Sequence, residues 1–183
     1  MEVVEKKYRD PPSHNKKYVK RLSEYISFLL KQGRVLEAKF YFDELNKIKP
    51  NHEKTLVFGY ELSIKTFDNN GVLRFDTLLM KHKYNEQKLL CLRLKYYYSV
   101  HNAKAFDQIV LHLFNYLPIK AELLKIILPM IVQQNQYKSI AALCIYLKKN
   151  KMVLNDLAEK SIRRVVLQKL IDVMSEIKKC PLF

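Results

Sequence analysis

Tryptophan is missing from this 183-residue chain, and glycine and proline are sparse, at three and six residues. An all-β sandwich or barrel turns often and draws on both, so that class is excluded. Cysteine is scarce too. Cys91, Cys144 and Cys180 form no C-x-x-C pair and no zinc pattern, and their number is odd. That usage fits inert thiols in a reducing compartment, so the expected localisation is cytoplasmic or nuclear and not secreted. No apolar run approaches the roughly 20 residues that a membrane-spanning helix needs. The richest patch, Ile126 to Val132, contains Pro129. The first residues lack an apolar signal core, and Glu2, Glu5 and Asp10 argue against a mitochondrial presequence.

Catalytic signatures are missing as well. There is no H-E-x-x-H, no G-x-S-x-G, no Walker loop and no G-x-G-x-x-G. The histidines (His14, His52, His82, His101 and His112) are scattered, and no acidic pair has the spacing of acid–base work. His101 falls at an expected helix end, where an imidazole helps satisfy free carbonyls. The expectation is a protein that is not an enzyme, with no cofactor, no metal and no small-molecule substrate.

What the chain does have is charge. Lys and Arg number 33 against 18 Asp and Glu, a formal net charge of +15. An excess of this size favours a polyanionic partner such as RNA, DNA, a ribonucleoprotein or an anionic membrane. The competing explanation is generic surface lysine. The chain is also 49% apolar, enough to bury a sizeable core.

Apolar positions recur with helical period almost throughout. Tyr18, Leu22, Tyr25, Ile26, Leu29 and Leu30 line one helical face. Gln32-Gly33 breaks that helix, because glycine tolerates positive φ. Val35, Ala38, Phe42 and Leu45 form the next stripe, and Lys49-Pro50-Asn51 closes the hairpin, with Asn51 as the next N-cap. The cycle repeats. Helix starts are expected near Asn15, Asn51, Asn85, Pro118 and Asn155, and breaks near Gly33, Asn70-Gly71, His101-Asn102 and Asn135. A period near 35 residues marks an α-α repeat array. The spacing predicts helix pairs at about 15–32/34–48, 51–67/71–83, 86–100/103–116 and 119–134/137–149. Pro129 is expected to kink the seventh helix or to stand near one of its ends. The fold class is therefore all-α: a right-handed array of about four helix-turn-helix repeats. A long capping helix at about 155–179 would face inward through Leu157, Val165, Leu170, Val173 and Ile177. Residues 1–14 form a charged tail, 15–179 one helical repeat domain and 180–183 a short C-terminal tail.

The segment Leu22 to Asn51, LSEYISFLLKQGRVLEAKFYFDELNKIKPN, resembles one pentatricopeptide or tetratricopeptide repeat, with Gly33, Ala38, Phe42 and Pro50 at the packing positions. The second hairpin, around Tyr60-Glu61 and Gly71 to Leu78, leans toward the half-a-TPR variety. The resemblance implies a TPR/PPR-like solenoid. Pentatricopeptide repeats read RNA one base per repeat with two side chains; carried onto this chain, those are Ser23 and Asn51. The other hairpins keep only the spacing, so readout along a sequence is not expected.

Several basic clusters are candidate phosphate contacts. Lys16, Lys17, Lys20 and Arg21 open the first helix and share a polar face with Ser23, Ser27 and Lys31. Arg93 and Lys95 precede Tyr96, Tyr97 and Tyr98; three consecutive helical residues cannot face one ligand, so Tyr97 is the stacking candidate and at least one of the three belongs to the core. Lys148 with Lys149, and Arg163 with Arg164, add patches toward the C-terminal end. Each serves equally as a solvated helix surface. The functional expectation is an RNA- or ribonucleoprotein-binding factor that docks through basic faces and tails, on a ribosome or an RNA-processing particle, with protein partners in the same assembly. The alternative is a TPR-type adaptor holding acidic peptide segments in a basic groove. A peripheral membrane role is disfavoured, because no helix has the Lys- and Trp-rich amphipathicity it needs.

Overall fold

The computed structural model describes residues 16–116, 119, 121–134, 137–150, 163 and 167. Among them are eight α-helices and no strand. They are α1 (Lys16–Lys31), α2 (Val35–Ile48), α3 (Glu53–Lys65), α4 (Asn69–Lys81), α5 (Glu86–Ser99), α6 (Ala103–Tyr116), α7 (Ala121–Gln134) and α8 (Tyr137–Lys149). The expected tails lie outside the described residues, as does the expected capping helix apart from Arg163 and Leu167, which are helical and exposed.

The helices divide into two compact units, residues 1–89 and 90–183, with the division falling inside α5. In the first unit the helices pack in chain order, α1 on α2, α2 on α3 and α3 on α4, with α1 also meeting α3. Its core takes the six residues of the first apolar stripe, Tyr18 to Leu30, together with Ala38, Phe42 and Leu45. In the second unit α8 packs on α6 and α7. One cluster there joins Leu94 of α5, Phe106 and Val110 of α6, Ile127 and Ile131 of α7, and Ile140 and Leu143 of α8. Helix α7 runs through Pro129, which has no N–H to donate to the turn before it.

The turns inside the first three hairpins explain the spacing. Gly33, Phe67 and His101 stand 34 residues apart and share a left-handed backbone, with φ of 73°, 55° and 53°. Each closes the preceding helix with the same bond pair. Gly33 N–H donates to Leu30 O and Arg34 N–H to Leu29 O; Phe67 and Asp68 do this to Ile64 and Ser63, and His101 and Asn102 to Tyr98 and Tyr97. This double bond satisfies carbonyls that the helix end leaves free. After the second and third of these turns the next helix is capped at once: the Asp68 carboxylate accepts from Gly71 N–H at 2.9 Å and Asn102 Oδ1 accepts from Ala105 N–H at 3.1 Å.

The same 34-residue register runs through the core. Leu22, Leu56, Leu90 and Leu124 hold one register position and are all buried. So do Ala38, Val72, Phe106 and Ile140, and so do Leu45, Leu79, Leu113 and Leu147. One supersecondary unit with one packing pattern thus recurs along the chain, which is the arrangement of a helical repeat fold.

Two expectations about helix ends are corrected. The second break is at Phe67-Asp68, not at Asn70-Gly71, which lie in the first turn of α4. The carboxylate of Asp68 captures the Gly71 N–H, so the glycine supplies room for the cap and not a turn. A Cβ on Gly71 would stand 2.4 Å from that carboxylate. Asn51 is exposed in the turn before α3, and His52 is the N-cap there, its Nδ1 accepting from Lys54 N–H at 3.3 Å.

A partly buried polar bond ties the first hairpin. The Tyr18 hydroxyl of α1 donates to Oε1 of Glu44 on α2. Burial first, and then the adjacent carboxylate, push the Tyr18 phenol well above its ordinary value. The unfolded phenol ionises near pH 10 while the folded one keeps its proton, so this group draws stability down as pH rises past about 10. Tyr18→Phe should cost about 1 kcal/mol at neutral pH. In that variant the fall in stability above pH 10 should be shallower. Urea unfolding at pH 8 and pH 10.5 reads both, and an unchanged alkaline slope would count against the bond.

Candidate nucleic-acid interface

The first helix opens with the basic cluster. Lys16 and Lys17 are helical, and Lys20 and Arg21 are exposed on the first turns of α1. Ser23, on the next turn, is 6% exposed and its hydroxyl donates to Val19 O at 2.8 Å. Its one donated proton is thus committed within the helix. Ser23 nevertheless forms part of the wall of an open groove of about 530 Å³ in the first unit, together with Ser27 and Lys31 of α1 and Lys54 and Val57 of α3. Of the polar face predicted for α1, Ser23, Ser27 and Lys31 border this cleft, while Lys20 and Arg21 do not line it. That cleft is not basic, because Glu24 and Glu53 stand in its wall opposite the charges of Lys31 and Lys54.

In the second unit, Arg93 and Lys95 are half-buried on α5 and both interact with neighbours. Tyr97 and Tyr98 pack against the core cluster, and the Tyr98 hydroxyl donates to Oε1 of Gln133 on α7. Tyr96 leans on Tyr97 with ring centroids 5.2 Å apart. Tyr97 and Tyr98 therefore brace α5 against the core, and all three rings are half-buried. Lys148 and Lys149 are exposed in the last turn of α8, where cations offset the partial negative charge of the free carbonyls. Arg163 is exposed on a helical segment, and Arg164 lies outside the described residues.

Lys20 and Arg21 belong to the first unit and Lys148 and Lys149 to the second. Sequence reading missed Lys104 and Lys138, both exposed in the first turns of α6 and α8. Their separation of 34 residues, equal to the repeat, was the available signal.

For the chemistry the site can perform, the acid–base groups are decisive. Among the described residues no group of three or more His, Cys, Asp or Glu could hold a metal ion. Burial raises the thiol pKa of both Cys91 and Cys144, with Lys95 partly opposing the rise at Cys91, and a raised thiol is a poor nucleophile. Glu37 is held below the usual carboxylate range by the Arg34 guanidinium, which it meets in an exposed ion pair at 2.5 Å. No described helix is long and apolar enough to cross a membrane. No family model, no curated protein and no solved structure matches the chain.

Proposed function

We propose that this protein is a nonenzymatic RNA- or ribonucleoprotein-binding factor built on a TPR/PPR-like helical repeat. Its cations contact phosphates along the helix surfaces. The observation that supports this most is a net charge of +15 on a helical repeat whose lysines stand exposed while its tyrosines brace the core. A lysine-dominated surface neutralises phosphates and releases counterions without reading bases. Base readout through Ser23 and Asn51 has less support, since Ser23 is buried and its proton is committed. The groove beside it carries as many carboxylates as lysines, so it offers an acidic peptide no net attraction. The 34-residue interval between Gly33, Phe67 and His101, the left-handed residues inside the first three hairpins, fits the tetratricopeptide period. A cytoplasmic or nuclear site of action, on a ribosome or RNA-processing particle, belongs to the same reading.

Binding of the purified protein to bulk RNA tests it. Neutralising 5 or so phosphates should make log K fall with log salt at a slope near −4. Affinity would then drop by roughly 200-fold between 50 and 200 mM salt. A flat salt response, or no binding at low salt, overturns the reading.

A further inference from the structure

The second helices of the hairpins occupy equivalent places in the two units, yet they differ sharply in charge. In the first unit, α2 and α4 carry Lys39, Lys47, Arg74 and Lys81 against Glu37, Asp43, Glu44 and Asp76. In the second unit, α6 and α8 carry Lys104, Lys138, Lys148 and Lys149, and their only carboxylate is Asp107. That carboxylate accepts a hydrogen bond from the Ser139 hydroxyl and is partly buried. All four lysines are exposed, and none has an ion-pair partner among the described residues.

The Ser139–Asp107 bond also fixes the geometry. It joins the first turn of α8 to the second turn of α6, so the two helices lie side by side with their N-terminal ends together. Lys104 and Lys138 therefore share one end of the face. Lys148 and Lys149 stand at its other end, about 15 Å farther along α8 at 1.5 Å per residue. The four charges are spread over a helix pair whose backbone is held by the Phe106, Val110, Ile140 and Leu143 core beneath it.

From this contrast we infer that the α6–α8 face of the second unit is the phosphate-contacting surface, and that it takes the backbone of double-stranded RNA. The inference rests on the RNA-binding reading above and assigns it a location. A duplex presents phosphates at fixed spacing on a rigid cylinder, matching charges that are themselves fixed by a helix pair. A single strand held by its bases needs exposed aromatic platforms. The described side chains of α6 and α8 include no exposed Phe or Tyr: Phe106, Phe114 and Tyr146 are all buried. Lysine is a compact point charge, suited to phosphate and not to planar base edges. Among the described residues, Ile145 is the one large apolar side chain exposed on α6 and α8.

The test compares two variants that lose the same net charge. One is K104Q/K138Q/K148Q/K149Q and the other is K39Q/K47Q/R74Q/K81Q, both in the full chain and both checked for an unchanged thermal transition. On a duplex RNA, the first variant should lower the salt slope by roughly 3, from about 0.7 to 0.9 per lost phosphate contact, and the second by less than about 1. Affinity at low salt should fall at least tenfold further in the first. Equal losses in the two variants, or none in the first while the parent protein binds, overturn the location and leave the RNA-binding reading standing. Failure of the parent protein to bind any RNA overturns both. Single-stranded RNA bound as tightly as duplex, or polyglutamate competing equally per unit charge, overturns the assignment to an RNA duplex.

Discussion

Replacing Phe106 by alanine is expected to lower the unfolding free energy by about 4 kcal/mol, whereas replacing Phe40 by alanine should change it by less than about 0.5. Both are phenylalanines on the second helix of a hairpin, and they differ only in surroundings. Phe106 is fully buried, while Phe40 is 69% exposed. Around Phe106 lie Leu94 from α5, Val110 from its own helix, Ile127 and Ile131 from α7 and Ile140 from α8. Its ring also meets Tyr98, with centroids 6.4 Å apart. Truncation removes the apolar transfer term, opens a cavity where four helices meet and forfeits the ring contact, itself worth about 0.5–1.5 kcal/mol. The helices cannot close over the gap without breaking the Tyr98–Gln133 and Ser139–Asp107 bonds that fix them. Urea unfolding followed by far-UV circular dichroism reads the effect, since the chain has no tryptophan to report it. A loss below about 1 kcal/mol for Phe106→Ala would mean the second unit is not packed as described.

The apolar period and the helix breakers carried most of this fold in legible form. Every predicted helix boundary that lies among the described residues falls within about two residues of the observed one, with α3 and α4 offset by two at both ends. The buried stripe Tyr18–Leu30 was legible in full because one strongly amphipathic helix has one buried side. The break between α3 and α4 was not. Asn-Gly is a strong turn signal, but the Asp68 carboxylate, three residues before, accepts from Gly71 N–H and makes Asn70-Gly71 part of a helical first turn. Nothing local marks Phe67 as left-handed, since that conformation costs a bulky residue roughly 1–2 kcal/mol. Only the repeat reveals it, as the residue 34 places after Gly33 and 34 before His101. The candidate site was less legible, for a related reason. Total charge is a sum over the chain, whereas a binding face depends on where the carboxylates are. The sequence clusters drew the eye to consecutive lysines. Lys104 and Lys138 are apart in sequence and come together only because α6 and α8 pack side by side.

Gly59→Ala should destabilise the first unit by about 1 kcal/mol, against the sign that helix propensity alone would give. Gly59 lies inside α3, where alanine is favoured by about 1 kcal/mol. The space is already taken, however. A Cβ at this position would stand 2.3–2.7 Å from three atoms of the Phe75 ring. That ring is buried on α4, and it is held edge-on by Phe42 at 6.1 Å and covered by the Arg74 guanidinium at 5.4 Å. To clear the new methyl group, α3 and α4 must separate or the ring must leave its rotamer and give up these contacts. Overpacking of this kind costs about 1–3 kcal/mol before the propensity gain is returned. Gly33→Ala provides the contrast. Nothing lies within 4 Å of a Cβ there, and the cost of about 1 kcal/mol comes from its left-handed backbone alone. The two causes separate in double mutants. Phe75→Leu removes the far end of the ring, so Gly59→Ala should cost less in its presence than alone, with a coupling of about 1–2 kcal/mol. Gly33→Ala should cost the same in either background. If Gly59→Ala stabilises the protein, or if it shows no coupling to Phe75, then α3 and α4 do not approach as closely as this seat requires.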